Sequence, residues 1–338
     1  MGYGRKQLAL SVASCFVLLV SGVKDMGASN DGERLPIRLI SNYVVVQGSL
    51  AGRANCTLVI DTGVNPSILH SRTAQDLKLV TTPQTVRMLD REVQTSITQL
   101  PSFALGPLQR GSTPMLVHDL SQMERNLGIR IDALVGLDLL GQTDFTVDYI
   151  SRYMSFGKVE KTASSAKLVA LQPGAIIEAK VEGKTVRLLV DTGSPGLVLF
   201  FDPQSGKPGV KATNVTEIAD GRRKGEVLVK QTRVGNVELA PGKAFLETGG
   251  QGGGVDGLLG MTPLHPRSIA LDFQHGRFYW KSYDAPTSET RPRVSAADEC
   301  YAFTGRSALA NTGKSPAVAG ADVGQCREEF RGVQYLNK

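Results

Sequence analysis

The chain has 338 residues, enough for two or three modest domains. Hydrophobic residues at 41% and charged residues at 21% exclude a disordered chain and fit a globular protein rather than a fibrous or multi-span membrane one. The net charge of +6 is densest at Arg222-Arg223-Lys224. No nucleic-acid-binding motif accompanies that cluster, so it is expected in a solvated loop, with no nucleic-acid partner.

At the N-terminus, Arg5 and Lys6 precede an apolar run from Leu8 to Val20, and the small residues Ser21, Gly22, Gly27, Ala28 and Ser29 follow. A basic start, an apolar stretch of about 13 residues and a small-residue exit predict a signal peptide over 1–28, hence a secreted or periplasmic protein. A spanning helix needs about 20 apolar residues, so a permanent membrane anchor is the weaker reading. Val12-Ala13-Ser14-Cys15 resembles a lipoprotein cleavage box, but the apolar run continues past the cysteine. Export would permit a Cys300–Cys326 disulfide, leaving Cys56 as a buried strand residue.

Beyond the leader the chain repeats itself. Val59-Ile60-Asp61-Thr62-Gly63 recurs as Leu189-Val190-Asp191-Thr192-Gly193, 130 residues later, each copy after a glycine turn and an apolar strand. Asp132-Ala133-Leu134-Val135-Gly136 recurs as Asp256-Gly257-Leu258-Leu259-Gly260, 124 residues later, and that offset holds through Phe156 and Trp280. The repeated stretch alternates apolar and polar residues around a short turn, which predicts a β-hairpin in each copy. Asp90 and Asp220, each 29 residues past its triplet aspartate, are placed at the tips of a second pair of hairpins, with extra residues from Gly221 to Lys224 in the later tip. Two β-rich units are therefore expected at 35–158 and 170–283, with a linker at 159–169 and a low-order tail at 284–338.

One Asp-Thr-Gly triplet is weak evidence; two in matched context point to paired-carboxylate chemistry. Two carboxyls close enough to share a water cannot both ionise, so the pair holds one proton across a broad acidic range. The ionised partner takes a proton from water while the protonated one donates to a carbonyl oxygen. Asp61 and Asp191 are the candidate catalytic residues. Gly63 and Gly193 let the backbone turn tightly and aim N–H groups at the carboxylates, and Thr62 and Thr192 are expected to fix the turns against one another with their hydroxyls.

These motifs resemble the aspartic peptidase superfamily, and tandem retropepsin-like bacterial proteins more than the larger pepsins. The resemblance covers about 245 residues, all but the leader and the tail. It implies an all-β fold: two homologous β-barrel lobes in a pseudo-two-fold, bilobal acid-protease arrangement. It also implies that Leu134-Val135-Gly136 and Leu258-Leu259-Gly260 thread beside the active-site loops. The hairpins near Asp90, Asp220 and Gly221 would be flaps over an extended peptide or protein substrate. No cofactor or metal is implied, and a chain carrying both lobes is expected to act as a monomer. The family usually places Ser, Thr or Ala after the triplet. Ser194 conforms and is expected to donate to Asp191; Val64 departs, which keeps open an inactive, peptide-binding relative of the same fold.

Other features carry less. His70, His118, His265 and His275 lack zinc-like spacing, Gly249 to Gly254 lacks the Lys-Ser or Lys-Thr of a phosphate loop, and no serine sits in a nucleophile elbow. Asp148 and Asp272, just before hairpin turns, are expected to be structural.

Overall fold

The computed structural model describes residues 34–88, 91–171, 174–201, 214–217, 223–248, 254–283 and 333–334. The expected signal peptide, the tip residues Asp90, Asp220 and Gly221, and Cys300 and Cys326 lie outside the described residues.

The fold is all-β, and one strand arrangement occurs twice. In the first half the strands are β1 (Arg53–Ile60), β2 (Ile68–His70), β3 (Thr81–Met88), β4 (Arg91–Leu100), β5 (Thr113–His118) and β6 (Ala133–Val135). Their counterparts are β7 (Lys184–Val190), β8 (Leu197–Phe201), β9 (Asn214–Glu217), β10 (Arg223–Val229), β11 (Gly242–Thr248) and β12 (Gly257–Leu259). In the first set, β1 pairs parallel with β6, β6 antiparallel with β2, and β2 parallel with β5. From there β5 pairs antiparallel with β4, and β4 with β3. The second set repeats every pairing with the same sense, from β7–β12 through β9–β10.

The sequence explains the centre of each set. Leu58-Val59-Ile60 and Leu188-Leu189-Val190 are apolar without interruption and fully buried, as strands covered on both faces must be. Each follows a glycine with positive φ, Gly52 at 79° and Gly183 at 78°, a left-handed turn that a side chain would resist.

A second layer joins the halves. The strand Phe145–Asp148 pairs antiparallel with Pro266–Asp272, each hairpinned to the strand that follows it, Tyr153–Phe156 or Arg277–Ser282. Thr146 faces Ala270, its own counterpart in the repeat, so a two-fold relation runs through that pair. Side chains alternate in these strands as period-2 geometry requires, burying Phe145, Val147, Met154 and Phe156 against Ile269, Leu271, Phe278 and Trp280. The turns are held by the aspartates expected to be structural: Asp148 accepts from Ile150 and Ser151, and Asp272 from His275.

Three local expectations need correction. The segment 159–169, expected as a linker, contains most of a strand, Ser164–Ala170, which pairs with Arg277–Ser282 because Ala166 and Leu168 bury one of its faces. Arg223 and Lys224, expected in a loop, open β10 and pair with Glu217 and Thr216. In the tail, Val333–Gln334 forms a short strand against Met88 and Arg87. Cys56 is a free, buried thiol on β1, as expected. Among the described residues, no helix is long and apolar enough to cross a membrane.

Candidate active site

β1 and β7 each deliver an aspartate at their C-terminal end. Parallel pairing with β6 and β12 fixes the exit point: the Asp61 N–H donates to the Val135 carbonyl at 3.0 Å, and the Asp191 N–H to Leu259 at 2.9 Å. Both chains then turn sharply. The Gly63 N–H donates to Asp61 Oδ1 at 2.9 Å and the Gly193 N–H to Asp191 Oδ1 at 2.8 Å, so each carboxyl folds back over its own turn.

The turns grip one another reciprocally. The Thr62 N–H donates to the Thr192 hydroxyl and the Thr192 N–H to the Thr62 hydroxyl, both at 3.0 Å. Each hydroxyl also donates to the opposite strand, Thr62 to the Val190 carbonyl at 2.8 Å and Thr192 to Ile60 at 3.1 Å. A Cβ on Gly63 would sit 2.5 Å from Cγ of Asp191, and one on Gly193 would sit 2.4 Å from Oδ2 of Asp61. Only glycine permits that approach, and the approach brings the two carboxyls together.

Both aspartates are 3% exposed. Burial, then the neighbouring Asp191 charge and the hydrogen bond shared with it, push the Asp61 carboxyl well above the ordinary aspartate range, against the opposing Gly63 N–H. Such a pair can hold one proton between two buried oxygens and keep it at pH values where free aspartates have lost theirs.

The turns are backed by β6 and β12. Leu137 donates to the Val64 carbonyl at 3.1 Å and Met261 to the Ser194 carbonyl at 3.2 Å. A Cβ on Gly136 would fall 2.1 Å from the Val64 oxygen, and one on Gly260 would fall 2.2 Å from that of Ser194. The glycine ending each apolar-apolar-Gly element is therefore a packing requirement. Upstream, the repeated aspartates tie these strands to their neighbours: Asp132 Oδ2 accepts the Thr57 N–H and Asp256 Oδ2 the Arg187 N–H, both at 2.8 Å. Thr57 and Arg187 are counterparts in the repeat.

The residues after the triplets behave differently from expectation. The Ser194 hydroxyl donates to the Gly196 carbonyl at 3.3 Å instead of to Asp191, because the turn carries it back over its own loop. Val64 is fully buried in an apolar cluster with Val45, Val59, Ile68 and Leu134, so its bulk is accommodated away from the carboxyls. The hairpins carrying the expected flaps are present as strand pairs, β3 with β4 and β9 with β10. Sequence reasoning missed Ser67 and Asp138, which contact each other directly behind the Asp61 turn. The available signal was Asp138 two residues after the Gly136 motif glycine.

An all-β protease fold with a buried carboxyl pair defines the class to which this geometry corresponds. Residues 46–139 match the family model described as aspartyl protease, a stretch that includes Asp61-Thr62-Gly63 and Leu134-Val135-Gly136. That match supports a peptidase function in general terms. Comparison with curated proteins returns no match.

Proposed function

We propose that the protein is a secreted, two-lobed aspartic endopeptidase that hydrolyses peptide bonds with a water held between Asp61 and Asp191. The observation that carries this reading is the reciprocal packing of each carboxyl against the other turn's glycine. Thr62 and Thr192 serve as the rigid support of the pair, Gly63 and Gly193 as its close-approach positions, and Ser194 as a brace of its own turn.

One carboxyl, ionised, accepts a proton from the water as it attacks the scissile carbonyl carbon. The other, protonated, donates to the carbonyl oxygen, giving a neutral tetrahedral diol. Collapse returns a proton to the leaving amine. Base and acid both come from the pair, so no covalent intermediate forms on the enzyme and no metal is needed. Preorganisation matters most: donors fixed before reaction cost no reorganisation in the transition state.

The substrate is a peptide in extended form beneath the β3–β4 and β9–β10 hairpins, where main-chain hydrogen bonds give affinity and side-chain pockets give preference. The lobes span 35–158 and 170–283, and the chain works as a monomer. Export follows from the leader at 1–28. The inactive alternative is disfavoured by the first half itself, since Val64 leaves the Gly63–Asp61 hydrogen bond intact. Incubating the mature protein with casein at acidic and neutral pH, with and without pepstatin, tests the proposal. Pepstatin-sensitive cleavage at acidic pH is expected; no cleavage at any pH would overturn it.

A further inference from the structure

The two turns are backed by different chemistry. In the second half the ladder between β12 and β8 continues one step past the strands: the Gly260 N–H donates to the Gly196 carbonyl at 3.0 Å, and the Thr262 N–H to Pro195 at 2.7 Å. Those strand-end contacts are main chain to main chain, with the Ser194 hydroxyl adding a 3.3 Å bond to the same Gly196 carbonyl. In the first half the corresponding N–H, that of Gly136, donates to the Ser67 hydroxyl at 2.9 Å. The hydroxyl in turn donates a hydrogen bond to Asp138 Oδ1 at 2.6 Å, and the Ser67 N–H donates to the same oxygen at 3.0 Å. The repeat places Leu197 opposite Ser67 and Thr262 opposite Asp138, so no equivalent bridge can form in the second half.

We propose that Ser67 and Asp138 are positioning residues for Asp61: a side-chain bridge that holds the first turn where main chain holds the second. This rests on the aspartic-peptidase reading of the site. The route to Asp61 is short. The Leu137 N–H donates to the Val64 carbonyl at 3.1 Å, the Val64 N–H donates to the Asp61 carbonyl at 3.2 Å, and the Asp61 N–H is held by Val135, the residue before Gly136. Ser67 is fully buried. Its removal leaves the Gly136 N–H without a partner, and an unmet buried donor moves its segment until it finds one. A shift of a few tenths of an ångström there alters the separation of Asp61 from Asp191 and so weakens the sharing of their proton. The bridge sits at the strand end that backs the Asp61 turn.

The test uses the full mature chain. Ser67→Ala and Asp138→Ala should each lower kcat about 10- to 100-fold with KM within about threefold, a size typical of misplacing a catalytic group. The double variant should be no worse than the poorer single one, because the bridge acts as a unit. Asp138→Asn keeps an acceptor oxygen and Ser67→Thr keeps a hydroxyl; both should stay within about threefold of the parent, as the donor and acceptor inventory allows. Thr262→Ala, altering the exposed counterpart position, should leave kcat unchanged. If an alanine variant fails to fold, Ser67→Cys decides: its weak S–H donor should still cost several-fold in kcat. In parallel, 13C NMR of labelled aspartate carboxyls follows the titration of the Asp61/Asp191 pair, which should move in Ser67→Ala and Asp138→Ala but not in Thr262→Ala. Should the parent chain cleave no peptide, the functional reading fails alone and this titration still decides. Unchanged kcat in the alanine variants, or an unmoved pair titration, overturns the bridge's role.

Discussion

Thr62 and Thr192, 130 positions apart in the chain, exchange backbone N–H to hydroxyl hydrogen bonds of equal length, 3.0 Å in each direction. Five hydrogen bonds cross between the turns through these two side chains, counting those to Ile60 and Val190 and a longer one at 3.5 Å from the Thr62 hydroxyl to that of Thr192. Thr62→Val keeps the shape and removes the hydroxyl, leaving the Thr192 N–H and the Val190 carbonyl unmet in a buried place. A loss of about 2 to 4 kcal/mol is expected from two such groups. Thr192→Val should match it, and the double variant should lose less than the sum because the same network breaks once. Urea unfolding measures all three.

Gly63→Ala and Gly193→Ala should be more selective. Each Cβ would meet the opposite carboxyl at about half an ångström or more inside any ordinary contact, 2.5 Å at Asp191 Cγ and 2.4 Å at Asp61 Oδ2. The turns must separate to fit it. Peptidase activity should fall by about 100-fold or more while β structure by circular dichroism is retained, since geometry errors near 1 Å cost that much. Retained activity in either variant would show that the close approach is dispensable.

Stability should depend on pH in two opposite ways. The Asp61 carboxyl is raised by burial and by Asp191, so the native pair holds its proton to a higher pH than unfolded aspartates do. Its favourable contribution is fully present below the unfolded aspartate value, about 3.9, and is lost as pH rises through the native titration. Asp138, raised by burial, acts in the same direction. Asp61→Asn should therefore be more stable than the parent at pH 7, because the amide carries no proton to lose there. The advantage should shrink towards pH 4. Thermal unfolding across that range checks the sign.

Glu124 works the other way. Its carboxylate takes two hydrogen bonds from Arg72, at 2.9 and 2.7 Å, and one from the Ile131 N–H at 2.7 Å. Arg72 above all holds it down at about 2 against the cost of burial. Its contribution is present above the unfolded glutamate range and is lost as pH falls towards about 2. Glu124→Gln should cost about 1 to 2 kcal/mol at pH 7, as hydrogen bonds to a charged group do, and almost nothing near pH 2. This pair ties the helix Ser121–Leu127 to the helix Ser71–Asp76, so hydrogen exchange should quicken in both.

Much of this was legible because the chain states it twice. Similar offsets, 130 residues between Asp61 and Asp191 and 124 between Gly136 and Gly260, located both turns and the strands behind them. The alternation of Phe145 and Val147, and of Phe278 and Trp280, gave the hairpins of the joining layer. Repetition conceals what only one copy has. Ser67 and Asp138 face Leu197 and Thr262 in the alignment, so the repeat did not mark them, and only the place of Asp138 just after Gly136 hinted at a role. The strand from Ser164 to Ala170 was hidden by its polar composition, because only Ala166 and Leu168 carry its buried face. Ser194 misled for a simpler reason: a hydroxyl beside a carboxylate in sequence finds a nearer acceptor once the chain turns.

The most direct measurement is the cleavage rate of one peptide substrate at acidic pH by Asp61→Asn and Asp191→Asn, made separately and each verified as folded. Both should lose about three orders of magnitude or more in kcat, as removal of either member of an acid–base pair requires. Either variant retaining the parent's rate would contradict a shared site.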